Sequence, residues 1–166
     1  MRGSDSDATL YYMARMLASG EDPLFIARRM VIFAAEDVGL ADPQALILAQ
    51  NALQALKEIG MPEGRIILSE VGIYLALAPK SNASYLAIEK ALGAIKEGKI
   101  APVPDHLKDS HYKGAKNLGR GIGYLYPHDY EGHWVKQNYL PECYKDLMFY
   151  HPDENAIYQK RRKDDE

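Results

Sequence analysis

"PQALILAQNALQALKEIGMPEGRIILSEVGIYLALAP" fills residues 43–79, and the spacing of its apolar side chains decides the fold. In its first half Leu46, Ala49, Leu53, Leu56 and Ile59 recur at the three- and four-residue steps of one helical face. Gly60 ends that helix and "MPEG" restarts the chain. A second helix follows, with Ile67, Val71, Tyr74, Leu75 and Ala78 sharing a face. Its Ile- and Val-rich part also suits a strand, but the 3.6-residue fit and the length favour a helix. Pro79 stops it, because the ring offers no N–H and clashes with the preceding turn.

Upstream, Leu10, Met13, Ala14 and Leu17 mark an earlier helix that Asp5, Ser6 or Asp7 can cap and Gly20 can end. "EDPLFIARRM" starts the next with Asp22 as N-cap and Pro23 at the first helical position, a device repeated at Asp42-Pro43. Downstream, Ser81 or Asn82 caps "ASYLAIEKALGAIKEG", which ends at Gly98. About five helices joined by short turns predict a mainly α, antiparallel helical core over residues 1–100. "APVP" at Ala101–Pro104 breaks this pattern, and residues 101–150 read as an irregular wrap rich in Gly, Pro, Tyr and His. All five histidines and eight of the twelve tyrosines lie beyond that break, so the wrap either covers the helices with its rings or carries function. Only residues 123–126 hint at a strand, a short helix is expected from Pro141 to about Phe149, and residues 151–166 read as a charged tail with a frayed end. The whole is expected to form a single domain.

With 166 residues, 47% of them apolar, the chain can bury a real core, and a net charge of -3 excludes a surface that holds nucleic acid by overall charge alone. Cys143 is the only cysteine, which rules out an internal disulfide and a Cys-based zinc cluster and suits a reducing, cytoplasmic setting. The start lacks a signal-peptide pattern, and the apolar run from Val71 to Ala78 is far too short to span a bilayer, so a soluble protein is expected.

Each chemical motif has a plainer reading beside it. There is no P-loop, and "GRGIGY" (Gly119–Tyr124) follows no strand and opens no amphipathic helix, so it reads as a turn. His128, Asp129 and His133, with His106, His111 or Glu131 more distant, offer metal-ligand types, but the segment lacks helical spacing and the histidines read as structural or surface groups. Cys143, which His128 and Asp129 could in principle activate, reads instead as a small buried hydrophobe. Glu36 and Asp37, near a helix C-terminus, oppose its dipole and call for a cation, either Arg28 or Arg29 or an arginine of another helix. Lys113, Lys116, Arg120 and Lys136 lie among aromatic rings, but acids are nearly as frequent there. No catalytic, cofactor or metal residue is expected, and the chain reads as a scaffold. In the wrap, Pro127, Gly132 and Pro141 turn the backbone while Tyr126, Tyr130, Trp134 and Tyr139 are expected to lie on the helical core or a neighbouring subunit. His128 and Asp129 are expected to satisfy backbone groups at the turn. The rival readings are a stand-alone His-metal enzyme and a docking module for DNA or a single-stranded-DNA-binding protein.

In order along the chain, "RGSDSDATLYYMARMLASGEDPLFIARRM", "FAAEDVGLADPQAL", "IYLALAPKSNASYLA", "PVPDHLKD", "GIGYLYPHDYEGHWVKQNYLPE" and "FYHP" resemble one family. It is the C-terminal region of replication-associated recombination protein A (RarA, also called MgsA), AAA+ ATPases related to clamp loaders and to the Werner-helicase-interacting ATPase of eukaryotes. The resemblance implies a clamp-loader-like oligomerisation domain that forms a homotetramer and has no catalysis of its own. It also implies an ATPase core, with its ATP and Mg, before residue 1. The full protein would then be a DNA-dependent ATPase, cytoplasmic and nucleoid-associated, that acts at replication forks with DNA and a single-stranded-DNA-binding protein. After "FYHPDENA" the sequence departs from the family pattern, ending in the short "IYQKRRKDDE".

Overall fold

The computed structural model describes residues 1–98, 100–109 and 120–159. It is mainly α: α1 (Ser6–Ala18), α2 (Pro23–Phe33), α3 (Gln44–Ile59), α4 (Gly64–Leu77) and α5 (Ala83–Glu97). Among the described residues there is no strand, including at residues 123–126, and no helix long and apolar enough to cross a membrane.

The helix boundaries follow from local chemistry. Asp5 accepts the Ala8 N–H at 2.8 Å and Asp22 the Leu24 N–H at 2.9 Å, each filling a donor that a helix start leaves unpaired. Pro23 stands at the first position of α2. Asp42 does the same for α3 by accepting the Gln44 N–H at 3.1 Å. The glycine stops at Gly20 and Gly60 fall where the spacing places them.

The chain divides into two compact units, and the division falls between Ala91 and Leu92, inside α5, rather than at the "APVP" prolines. The first unit takes in Met1–Ala91 and the described segment that begins at Phe149; the second is Leu92–Met148. In the first unit α1, α2, α3 and α4 pack on one another. Leu68, Leu75 and Val38 are the largest side chains fully out of water, and burial stabilises each by about 2 kcal/mol. The inner face of α3 is Ala45, Ala49, Ala52, Leu53 and Leu56, whereas Leu46 and Ile59, expected on that stripe, are exposed. Small side chains occupy the line of closest helix approach and push the larger ones to the flanks. Only Ala83 of α5 is buried, so four of the five helices build the core.

α2 does not end cleanly. It passes into a π-helical turn (Ala34–Val38) and a 3-10 turn (Gly39–Ala41). Gly39 has φ +52°, and a Cβ there would lie 2.5 Å from the Ser81 carbonyl oxygen, so only glycine lets this turn come so close to the chain between α4 and α5. The described segment after Phe149 is anchored: Ala156 is 3% exposed, and the Ile157 N–H donates to the Leu40 carbonyl at 2.9 Å. The last residues, 160–166, lie outside the described residues.

Among its described residues the second unit contains the C-terminal end of α5 and four 3-10 turns: Asp105–Leu107, Pro127–Asp129, Glu131–His133 and Glu142–Tyr144. The short helix expected from Pro141 to Phe149 is thus a single 3-10 turn. The Tyr144 hydroxyl holds it by donating to the Ala94 carbonyl at 3.2 Å.

Candidate interaction surfaces

Two features gather the polar and aromatic residues singled out by the sequence, and a third adds an apolar stripe. The first is a charged joint in the first unit. Asp37 and Glu36 do find a cation, but it is Arg2, not Arg28 or Arg29. One Arg2 nitrogen lies 3.0 Å from Asp37 Oδ2 and 3.5 Å from Glu36 Oε1, and Nε bonds the other Asp37 oxygen. The hydrogen bond and the charge of Asp37 raise the guanidinium still further above its ordinary pKa. Arg28 pairs with Asp22 at 3.2 Å instead. Arg29 is exposed on α2. Lys80 spans the end of α4, donating to the Ala76 carbonyl at 2.9 Å and to that of Ala78, a cation set on the negative end of a helix. Burial lowers its pKa, partly offset by Asp37. Ser81, 3% exposed, donates its hydroxyl to Asp153 at 2.6 Å.

The second feature is the aromatic segment of the second unit. Tyr126, Tyr130 and Tyr139 are exposed by 52%, 40% and 49%, and Trp134 is half-buried. His128 packs between Tyr126 and His133, with ring centroids 5.1 and 4.9 Å apart and the planes tilted by 46° and 52°, and among the described residues its side chain does not bond the backbone. The Asp129 side chain has no hydrogen bond among the described residues, and the turn at Pro127 is closed by backbone bonds, Asp129 N–H to Tyr126 and Tyr130 N–H to Pro127. Gln137 does the fastening, donating to the Leu125 carbonyl at 2.6 Å and to the Tyr139 hydroxyl at 2.9 Å. His106 donates to the Asn138 carbonyl at 2.8 Å. Among the described residues no three His, Cys, Asp or Glu side chains converge on a metal position. Cys143, expected to be buried, is exposed. His111, Tyr112, Lys113, Lys116 and the first residue of "GRGIGY" lie outside the described residues.

The third feature was not singled out from the sequence. Along α5, Tyr85, Ile88, Leu92 and Ile95 follow a 3-4-3 spacing and are exposed by 41%, 54%, 54% and 49%. They form one apolar stripe in water. Ser84, Ala87, Ala91 and Ala94, half-buried, make a second face with the same spacing. The signal was present: one helix with two apolar faces can turn only one of them to its own core.

Comparison with known proteins places this architecture. The chain matches the family described as "MgsA AAA+ ATPase C terminal" over residues 3–165, and it belongs to that family. It is 49% identical to replication-associated recombination protein A of Bacillus subtilis over 98% of this chain, and 38% identical to the Escherichia coli K12 protein of the same name over 96%. The ATPase WRNIP1 of Dictyostelium discoideum is 42% identical over 90%. The chain spans 38%, 36% and 17% of these three proteins, respectively.

Proposed function

We propose that this chain is the self-association module of an AAA+ ATPase that works in replication and recombination, and that it turns nothing over itself. The observation that carries this reading is the α5 stripe. Its 3-4-3 spacing is a palindrome about Lys90, so an antiparallel second copy sets Tyr85 against Ile95 and Ile88 against Leu92 at both ends. Such self-complementarity is what a two-fold interface needs. Stable interfaces bury about 1,200–2,000 Å² in total, so the stripe is the centre of a contact that also takes in Leu86 and the charged flank of Glu89 and Lys96.

That two-fold contact closes a dimer, and a second, different contact would join two dimers into a homotetramer that holds ATPase cores near one DNA and raises their effective concentration there. ATP and Mg belong to those cores in this reading, DNA and a single-stranded-DNA-binding protein are partners of the full-length assembly, and its setting is the nucleoid in the cytoplasm. Light scattering over a dilution series tests the proposal: a mass above the monomer is expected, lowered by Leu92→Glu. A strict monomer at the highest concentration overturns it.

The exposed tyrosines of the second unit favour a second reading, in which that segment stacks single-stranded nucleic acid. A salt-sensitive gel shift lost in a Tyr126→Ala/Tyr130→Ala variant would support it, and no shift at low salt would dismiss it.

A further inference from the structure

Four stretches far apart in sequence meet within the first unit: residues 1–4, the turns at 36–41, the link 78–83 between α4 and α5, and the strap 153–157. The leading arm is fixed at three successive points by three chemistries. Met1 packs against the core, Arg2 pairs with Asp37 and Glu36, and Ser4 accepts a hydrogen bond from Lys80 at 3.4 Å. The Ser4 N–H closes the arm into a turn by donating to the Met1 carbonyl at 2.9 Å.

The strap is fixed to the other side of the same link. Asp153 takes the Ser81 hydroxyl and also accepts the N–H groups of Asn155 and Ala156 at 3.1 and 3.0 Å. Asn155 donates to the Lys80 carbonyl at 3.0 Å. Between the two ends stands one shared bond: the Ser81 N–H donates to the Asp37 carbonyl at 2.9 Å, while the Asp37 side chain holds Arg2.

We propose that arm and strap are the two halves of one latch, coupled through Asp37 and the Lys80-Ser81 link. Order at either end favours order at the other, and the coupling is reciprocal because both ends stabilise the same closed arrangement of that link. The latch makes the arm a stiff coupler rather than a slack tether. Polypeptide joined to residue 1 would therefore take a fixed direction from the helical unit, and a ligand or partner that displaced the strap would loosen that hold. This inference rests on contacts inside one copy and is independent of self-association.

Residue-resolved hydrogen exchange by NMR on the whole chain tests it. Arg2→Gln removes the arm's ion pair and touches nothing in the strap, yet it is expected to speed exchange at Ala156 and Ile157 roughly fivefold. Asp153→Ala is expected to do the same at Ser4, and the double variant to lose less than the sum of the two single losses. Should Asp153→Ala fold poorly, Ser81→Ala removes the same side-chain bond with less disturbance. Effects confined to the altered end, or strictly additive ones, overturn the latch. So does acceleration that spreads to the amides of α3, which would report general loosening.

Discussion

At the scale of single residues, Tyr74 joins two helices through one proton. Its hydroxyl donates to the Asp42 carboxylate whose other oxygen caps α3. That hydrogen bond, with burial and the Asp42 charge behind it, pushes the phenol up to about 12. A pKa raised in the folded state favours folding fully below the ordinary phenol value, near 10, and the benefit fades as pH climbs from about 10 to about 12. Thermal melts across that window should show a loss of stability that Tyr74→Phe reduces, while the same variant is less stable than the parent at neutral pH. Gly39→Ala is expected to cost about 2 kcal/mol or more in denaturant unfolding, since it adds a strained φ to a clash with the Ser81 backbone. How much of this was legible depended on range. The caps at Asp5, Asp22 and Asp42 could be read because each acts on its own next turn. The need of Glu36 and Asp37 for a cation could be read for the same reason, but Arg2 could not be picked out, because the partners stand 35 residues apart and only the fold brings them together.

At the scale of elements, helical period found all five helices but not which face each one turns inward. In α3 the large residues suggested a stripe through Leu46 and Ile59, whereas alanines hold the inner line. In α5 two faces compete, and period alone does not rank them. Substitutions separate the two kinds of face. Leu68→Ala, inside α4, should cost about 2–5 kcal/mol of stability by calorimetry or denaturant unfolding. Leu92→Glu, on the exposed stripe, should leave the stability of the single copy nearly unchanged and alter only the mass in solution. The wrap was legible as irregular but not in detail. Its described 3-10 turns are three residues each, too short for any period to register. What fastens it, the Gln137 amide, belongs to a residue type that carries no spacing signal.

At the scale of the whole molecule, the order of motifs along the chain identified the family from sequence, and the match over residues 3–165 agrees with that reading. The division inside α5 could not be seen, since a helix continues through it without a change of composition. The paired histidines lack a third ligand among the described residues, so added EDTA should leave the melting temperature of the parent and of His128→Ala unmoved. A fall in the parent alone would revive a metal centre. One plain feature has a practical consequence for all of this. Cys143 is the only cysteine in the chain, and it is exposed in its turn. Every copy therefore carries a single reactive handle. One dye per thiol turns the brightness of a single particle into a count of copies, and the loss of light in discrete steps reads out the assembly without altering any side chain in α5.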